Sequence, residues 1–172
     1  MNDTVESVAD NLQGGEKLCA DELCIAPGDC RIRLRSNSAA LVAALGDYFS
    51  HVATAATKPD IDIIAIEREA PETGLAYVDW KREPGKTGRK DSYAELPGGR
   101  VVRKVRTGMV FLQSERYRIA AGPCLEYDNQ VINFINSQYM NWLQHRGWLI
   151  CHAAGLVYRG RGLGIAGFSG GG

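Results

Sequence analysis

The chain has 172 residues, 45% hydrophobic and 23% charged, and its 20 basic and 20 acidic side chains cancel to a formal net charge of +0 at pH 7. That length allows one sizeable core, or a small domain with part of another, and the composition is that of a folded globular protein. No apolar run reaches the length of a membrane span, and the polar, acidic Met1 to Gly15 has no apolar centre of the kind a signal peptide needs. A cytoplasmic protein without a membrane partner is expected.

Met1 to Pro27 reads as a loosely ordered lead-in, with a short helix near Val5 to Leu12. Residues 1–30 hold seven acidic side chains and one lysine. The five cysteines are Cys19, Cys24, Cys30, Cys124 and Cys151. The spacing of the first three does not match the close pairs of a structural zinc site, and no histidine lies nearby, so no metal ligands are assigned and free thiols are expected. An odd count without a secretory signal also argues against a disulfide framework.

Arg31 to Arg35 alternates charged and apolar residues, the period of a strand with one wet face. Ser36 to Ser38 supplies a helix cap, and Leu41, Val42, Leu45, Tyr48, Phe49 and Val52 follow at helical spacing, predicting an amphipathic helix over 38–53. His51 near its end reads as a residue favoured by the helix dipole. Ile61 to Ile66 reads as a second, buried strand. From Leu75 to Pro123 a meander is expected, with strands over 75–80, 92–96, 100–106, 109–114 and 117–121 and a Pro97-Gly98-Gly99 turn between the second and third of these.

Lys81 to Arg106 holds nine basic and three acidic side chains. Stacking aromatics are not interleaved as single-strand binders use them, so solvated strand faces and a loop over 83–91 are preferred to a nucleic-acid surface. Asp128-Asn129 then cap a long helix through His145, with Val131, Ile132, Phe134, Ile135, Tyr139, Trp142 and Leu143 on its apolar face and Gly147 as its stop. This helix is expected to pack beneath the segment that follows it.

That segment carries the chemistry. Val157-Tyr158 turns through Arg159-Gly160-Arg161-Gly162 into a short apolar run, Leu163 to Ala166, read as a buried strand. Gly167-Phe168-Ser169-Gly170-Gly171-Gly172 follows, with Gly167 and Gly172 at the spacing of the two glycines in the phosphate-binding pattern G-x-x-x-x-G-K-[ST]. Such a loop turns several N–H groups inward around phosphate oxygens, which glycine permits because it has no Cβ. The lysine and the Mg²⁺-holding hydroxyl would come next, so the chain reads as the N-terminal part of a longer ATP-using enzyme. The competing reading is a glycine-rich linker.

The stretch from Cys151 to Gly172 resembles the segment entering the phosphate-binding loop of HPr kinase/phosphorylase-type proteins, most of all the bacterial group called HprK-related kinase B. In that family a histidine opens a β-hairpin whose second strand delivers a G-x-S-G-x-G-K-S loop. The resemblance covers about the last 25 residues. It implies that Gly167, Phe168, Ser169, Gly170, Gly171 and Gly172 form the nucleotide site, that His152 lies beside it in an active-site role, and that ATP and Mg²⁺ are cofactors, most ion ligands lying beyond Gly172. It further implies γ-phosphate transfer to a protein serine or a small molecule, with homo-oligomers a family expectation. Without the lysine, the 172 residues alone are expected to be inactive.

The fold class expected is therefore α/β: an acidic segment over 1–30, an α/β and β-meander region over 31–123, and the start of a P-loop kinase domain over 124–172. A phosphoenolpyruvate carboxykinase-like enzyme and a non-enzymatic binding module are the alternatives.

Overall fold

In the computed structural model, which describes residues 3–55, 58–81 and 91–167, eight strands form one mixed sheet. Five antiparallel strands of a meander lie at one end, and a strand-helix-strand unit flanked by one further antiparallel strand lies at the other. The expected α/β class holds. The chain divides into two units, Met1–Gln138 and Tyr139–Gly172, and no described helix is long and apolar enough to cross a membrane.

The N-terminal segment is ordered, against the expectation of a loose lead-in. Helix α1, Val5–Gln13, is started by a reciprocal Thr4 and Ser7 capping box and ended by Gly14 in the left-handed region at φ 57. The Arg68 guanidinium also donates to the carbonyls of Asn11 at 3.1 Å and Leu12 at 3.4 Å, closing the helix C-terminus. Val5, Val8, Ala9 and Leu12 recur at helical spacing and are buried. Their acidic neighbours lowered the apparent hydrophobicity of the segment without breaking this stripe.

Strand β1, Glu22–Ile25, is antiparallel to β2, Ile32–Ser36. It has only four residues, with acids before it, and sequence periodicity did not reveal it. Helix α2, Ala39–Tyr48, is capped by the Ser38 hydroxyl, which accepts from Leu41 N at 3.2 Å. It ends sooner than predicted, and His51 lies in a 3-10 turn, Ser50–Val52. Strand β3, Ile61–Glu67, then runs parallel to β2. The Asn37 side chain joins the two strand ends by bonding both backbone groups of Glu67, at 2.7 and 2.9 Å.

The meander comprises β4, Val78–Asp79, β5, Ser92–Leu96, β6, Gly99–Arg103, β7, Val110–Ser114, and β8, Arg118–Gly122. The sheet order is β1-β2-β3-β8-β7-β6-β5-β4, and β8 lies parallel to β3. Only Val78–Asp79 of the strand expected over 75–80 forms, as a two-residue edge.

Register assigns the two faces. Ile32 and Leu34 align with Ile61 and Ile63, and Ala65, Ala120, Phe111, Val102 and Tyr93 continue that face across the sheet. Helix α2 packs on it at β1 and β2. Helix α3, Asp128–Gln144, reaches it through Phe134, stacked on Phe111 with ring centroids 4.9 Å apart. On the opposite face α1 meets a core that includes Ile66, Val101, Val110, Leu112 and Ile119.

The unit boundary falls inside α3, not ahead of it at residue 124. Cys124, Val131, Phe134 and Ile135 are all buried, and the Cys124 thiol donates to the Ile66 carbonyl at 3.4 Å. Asp128 begins α3 as its first helical residue, and Gly147 follows it in the left-handed region at φ 82. None of the five cysteines is joined in a disulfide.

Candidate functional site

The second unit contains the hairpin on which the sequence reading rests. Strands β9, Ala154–Tyr158, and β10, Arg161–Ile165, pair antiparallel from Ala154↔Ile165 to Tyr158↔Arg161. The turn is tighter than the four residues read from the sequence: Arg159 and Gly160 alone form it, at φ 49 and 73. Both positive values are those of a type I′ connection, which matches the right-handed strand twist.

The register also sorts the side chains. Ala154, Leu156, Tyr158, Arg161, Leu163 and Ile165 share one face, while the other holds Gly155, Val157, Gly162 and Gly164, with Gly155 directly opposite Gly164. A Cβ on any of these three glycines would meet nothing within 4 Å. The ribbon thus has one mostly apolar face, with Arg161 at its turn end, and one nearly bare backbone face. Every residue of both strands is exposed, which corrects the expectation that Leu163 to Ala166 is a buried strand. Among the described residues nothing covers it.

His152 lies two residues before β9, exposed and outside the strand, and Gly167 lies two residues after β10, also exposed. The ladder ends at Ala154↔Ile165, so His152 and Gly167 lie on the two chain segments that leave the open end of the ribbon, each two residues beyond the last pair. Phe168, Ser169, Gly170, Gly171 and Gly172 lie outside the described residues. No group of three or more His, Cys, Asp or Glu able to hold a metal occurs among the described residues.

In the first unit, the described part of the basic stretch is largely paired. Arg100 bonds Glu95, Arg103 approaches Glu72 at 3.5 Å, and Lys104 bonds Asp91 at 2.5 Å. Arg100 also lies 5.4 Å from the Tyr93 ring centroid and 6.0 Å from that of Trp80. These are the solvated strand faces expected from the sequence; Arg82, Lys86, Arg89 and Lys90 lie outside the described residues.

No protein-family model, curated protein or solved structure matches this chain. The functional reading therefore rests on residue chemistry and register.

Sequence reasoning missed a second feature, a cleft of about 250 Å³ between α3 and the β4 side of the sheet, lined by Trp80, Lys104, Phe111, Gln113, Asn133 and Phe134 among others. Its residues come from five separate segments, and no spacing pattern links them. Across the sheet, Asp62 receives bidentate bonds from Arg33 at 3.0 and 3.1 Å and from Arg35 at 2.6 and 3.4 Å. Burial pushes this carboxyl up, but the bonds from the two guanidiniums outweigh burial and hold it below the ordinary 3.8.

Proposed function

We propose that the chain is the N-terminal part of a cytoplasmic, ATP-dependent kinase related to HPr kinase, one that moves the γ-phosphate of ATP to a protein serine or a small-molecule acceptor. The observation that carries this reading is the antiparallel hairpin, from whose open end a histidine enters and the first glycine of a G-x-x-x-x-G run leaves, each two residues from the last pair. A linker has no need of a type I′ hairpin ahead of it, nor of a histidine at the end of the ribbon from which its first glycine leaves.

Gly167 and the glycines to Gly172 would offer backbone N–H groups to the phosphates, with no Cβ to block their approach. Bound ATP–Mg²⁺ supplies the phosphoryl group, and its remaining ligands are assigned to residues following Gly172. At the same open end of the ribbon, His152 would hold or accept a proton near neutral pH. Phosphoryl transfer depends on positioning and charge stabilisation, so these 172 residues without the lysine are expected to be inactive.

Exposure of the ribbon supports the same reading. An isolated two-stranded hairpin is marginal in water, and here Leu156, Tyr158, Leu163 and Ile165 are all largely exposed. Further elements of a nucleotide-binding domain would cover that face, and the bare glycine face would admit close backbone approach.

The test is Mg²⁺-dependent ATP binding and γ-phosphate transfer by the whole gene product, beside variants altered at His152 and at the residue after Gly172. Binding lost when that following residue becomes alanine, with transfer reduced in His152→Ala, is the expected result. A gene product that binds no nucleotide would sink the kinase reading and leave the glycines as a linker.

A further inference from the structure

The cleft in the first unit has the chemistry of a small-molecule site. Its floor is set by register: Val102 on β6 aligns with Phe111 on β7, and Gln113 lies two residues further along the same face. Phe134 of α3 stacks on Phe111 at an interplanar angle of 25° and forms one wall. Trp80, following the edge strand β4, also lines the cleft and is itself braced by Tyr93, 4.9 Å between centroids. A cleft lined by the rings of Trp80, Phe111 and Phe134 favours a planar ring, which buries large area at little entropic cost.

The polar groups narrow the class further. Lys104 and Asp91, both in the lining, neutralise each other at 2.5 Å. The lining therefore presents no net charge, which disfavours a phosphate or carboxylate as the group held here. What remains are the Ser137 hydroxyl, which donates to the Phe134 carbonyl at 2.7 Å, and the carboxamides of Gln113, Gln130 and Asn133. Gln130 uses its carbonyl oxygen to accept from the Thr107 hydroxyl at 3.2 Å. The side-chain amides of Gln113 and Asn133 have no partner among the described residues, leaving a donor and an acceptor on each. A carboxamide pairs in bidentate fashion with a ring edge that places a donor beside an acceptor, as the edge of adenine does. At about 250 Å³ the cleft lies below the ~300–1,000 Å³ of drug-sized pockets, so it suits one ring system.

We infer that this cleft binds a neutral nucleobase or closely related heteroaromatic ring, packed against the rings of Trp80, Phe111 and Phe134 and read on its edge by Gln113 and Asn133. The site lies wholly within Met1–Gln138 and is independent of the glycine run, so it stands or falls apart from the kinase reading.

Free bases test it, because they carry no phosphate for the glycine run to hold. The full chain is titrated with adenine, cytosine and 6-dimethyladenine, read by tryptophan fluorescence and by backbone amide shifts in two-dimensional NMR. Saturable, submillimolar binding of adenine or cytosine is expected, with shifts centred on Phe111, Gln113 and Asn133 and with quenching reduced in Trp80→Phe. Loss of a hydrogen-bonding edge should weaken binding by about tenfold, both for Gln113→Leu with adenine and for 6-dimethyladenine with the unaltered chain. Asn133→Leu, at an exposed helix position, gives the same readout should the β7 variant misfold. No saturation by either base at several millimolar overturns the assignment. Equal affinity for adenine and 6-dimethyladenine overturns it as well, reducing the cleft to an apolar stacking groove.

Discussion

Two residues store free energy in ways that can be measured directly. Asp62 accepts from Arg33 and Arg35 at once, on a face where its side chain is 35% exposed. That exposure discounts the pair, yet removal of the shared carboxylate leaves two guanidiniums side by side. Asp62→Asn is expected to lower stability by about 1 kcal/mol at pH 7, measured by urea unfolding. Because its folded pKa lies below the ordinary 3.8, its contribution is present above that value and is lost as pH falls through the folded pKa. The difference between the native chain and the variant should therefore shrink below pH 3.8; a gap independent of pH would assign the loss to packing.

Arg159 is the other case, with φ 49 and no other described non-glycine residue at positive φ. A side chain in the left-handed region costs roughly 1–2 kcal/mol relative to glycine, partly offset here by the Arg159 guanidinium 5.1 Å from the Tyr158 ring. Arg159→Gly should raise hairpin population, seen as stronger cross-strand NMR contacts between Leu156 and Leu163. Unchanged contacts would mean that the ring interaction compensates fully.

Among the elements, α3 shows the clearest conflict between polarity and packing. Gln138 is 1% exposed, and its Oε1 has no hydrogen-bond partner among the described residues. Its amide nitrogen reaches only the Ser137 hydroxyl at 3.3 Å. A buried orphan acceptor carries its desolvation cost, so Gln138→Met, similar in volume, is expected to raise the thermal midpoint and stabilise by about 1 kcal/mol. A drop would show that the amide has a role in holding the helix that the hydrogen bonds do not reveal.

Elements with strong local periodicity were legible. The alternation of Ile32 and Leu34, the apolar run at Ile61 to Ile66 and the wide face of α3 each declared the element that formed. β1 was not legible, since its four residues find their strand character only by pairing with β2. The hairpin was legible for its turn and strands, because Gly160 and the flanking apolar residues are local signals. Its exposure was not, since apolar residues announce a wish for burial and not the presence of a cover.

For the whole molecule, α1 decides the stability of the meander face. Leu12 is fully buried against a core that spans Ile66 to Ile119, so Leu12→Ala should cost about 2–5 kcal/mol. If α1 were the loose lead-in its acidic composition suggested, the same substitution would leave the unfolding midpoint in place. Circular dichroism against denaturant separates the two outcomes.

Periodicity, capping residues and turn glycines act over a few residues, and they are why the helices, most strands, the α/β class and the glycine run could be read without coordinates. The order β1-β2-β3-β8-β7-β6-β5-β4, the packing of an acidic N-terminal helix into the core and the gathering of Trp80, Gln113 and Asn133 around one cleft came only from tertiary structure. Those features depend on which buried surfaces meet across tens of residues, and long-range contact of that kind leaves no period in a sequence.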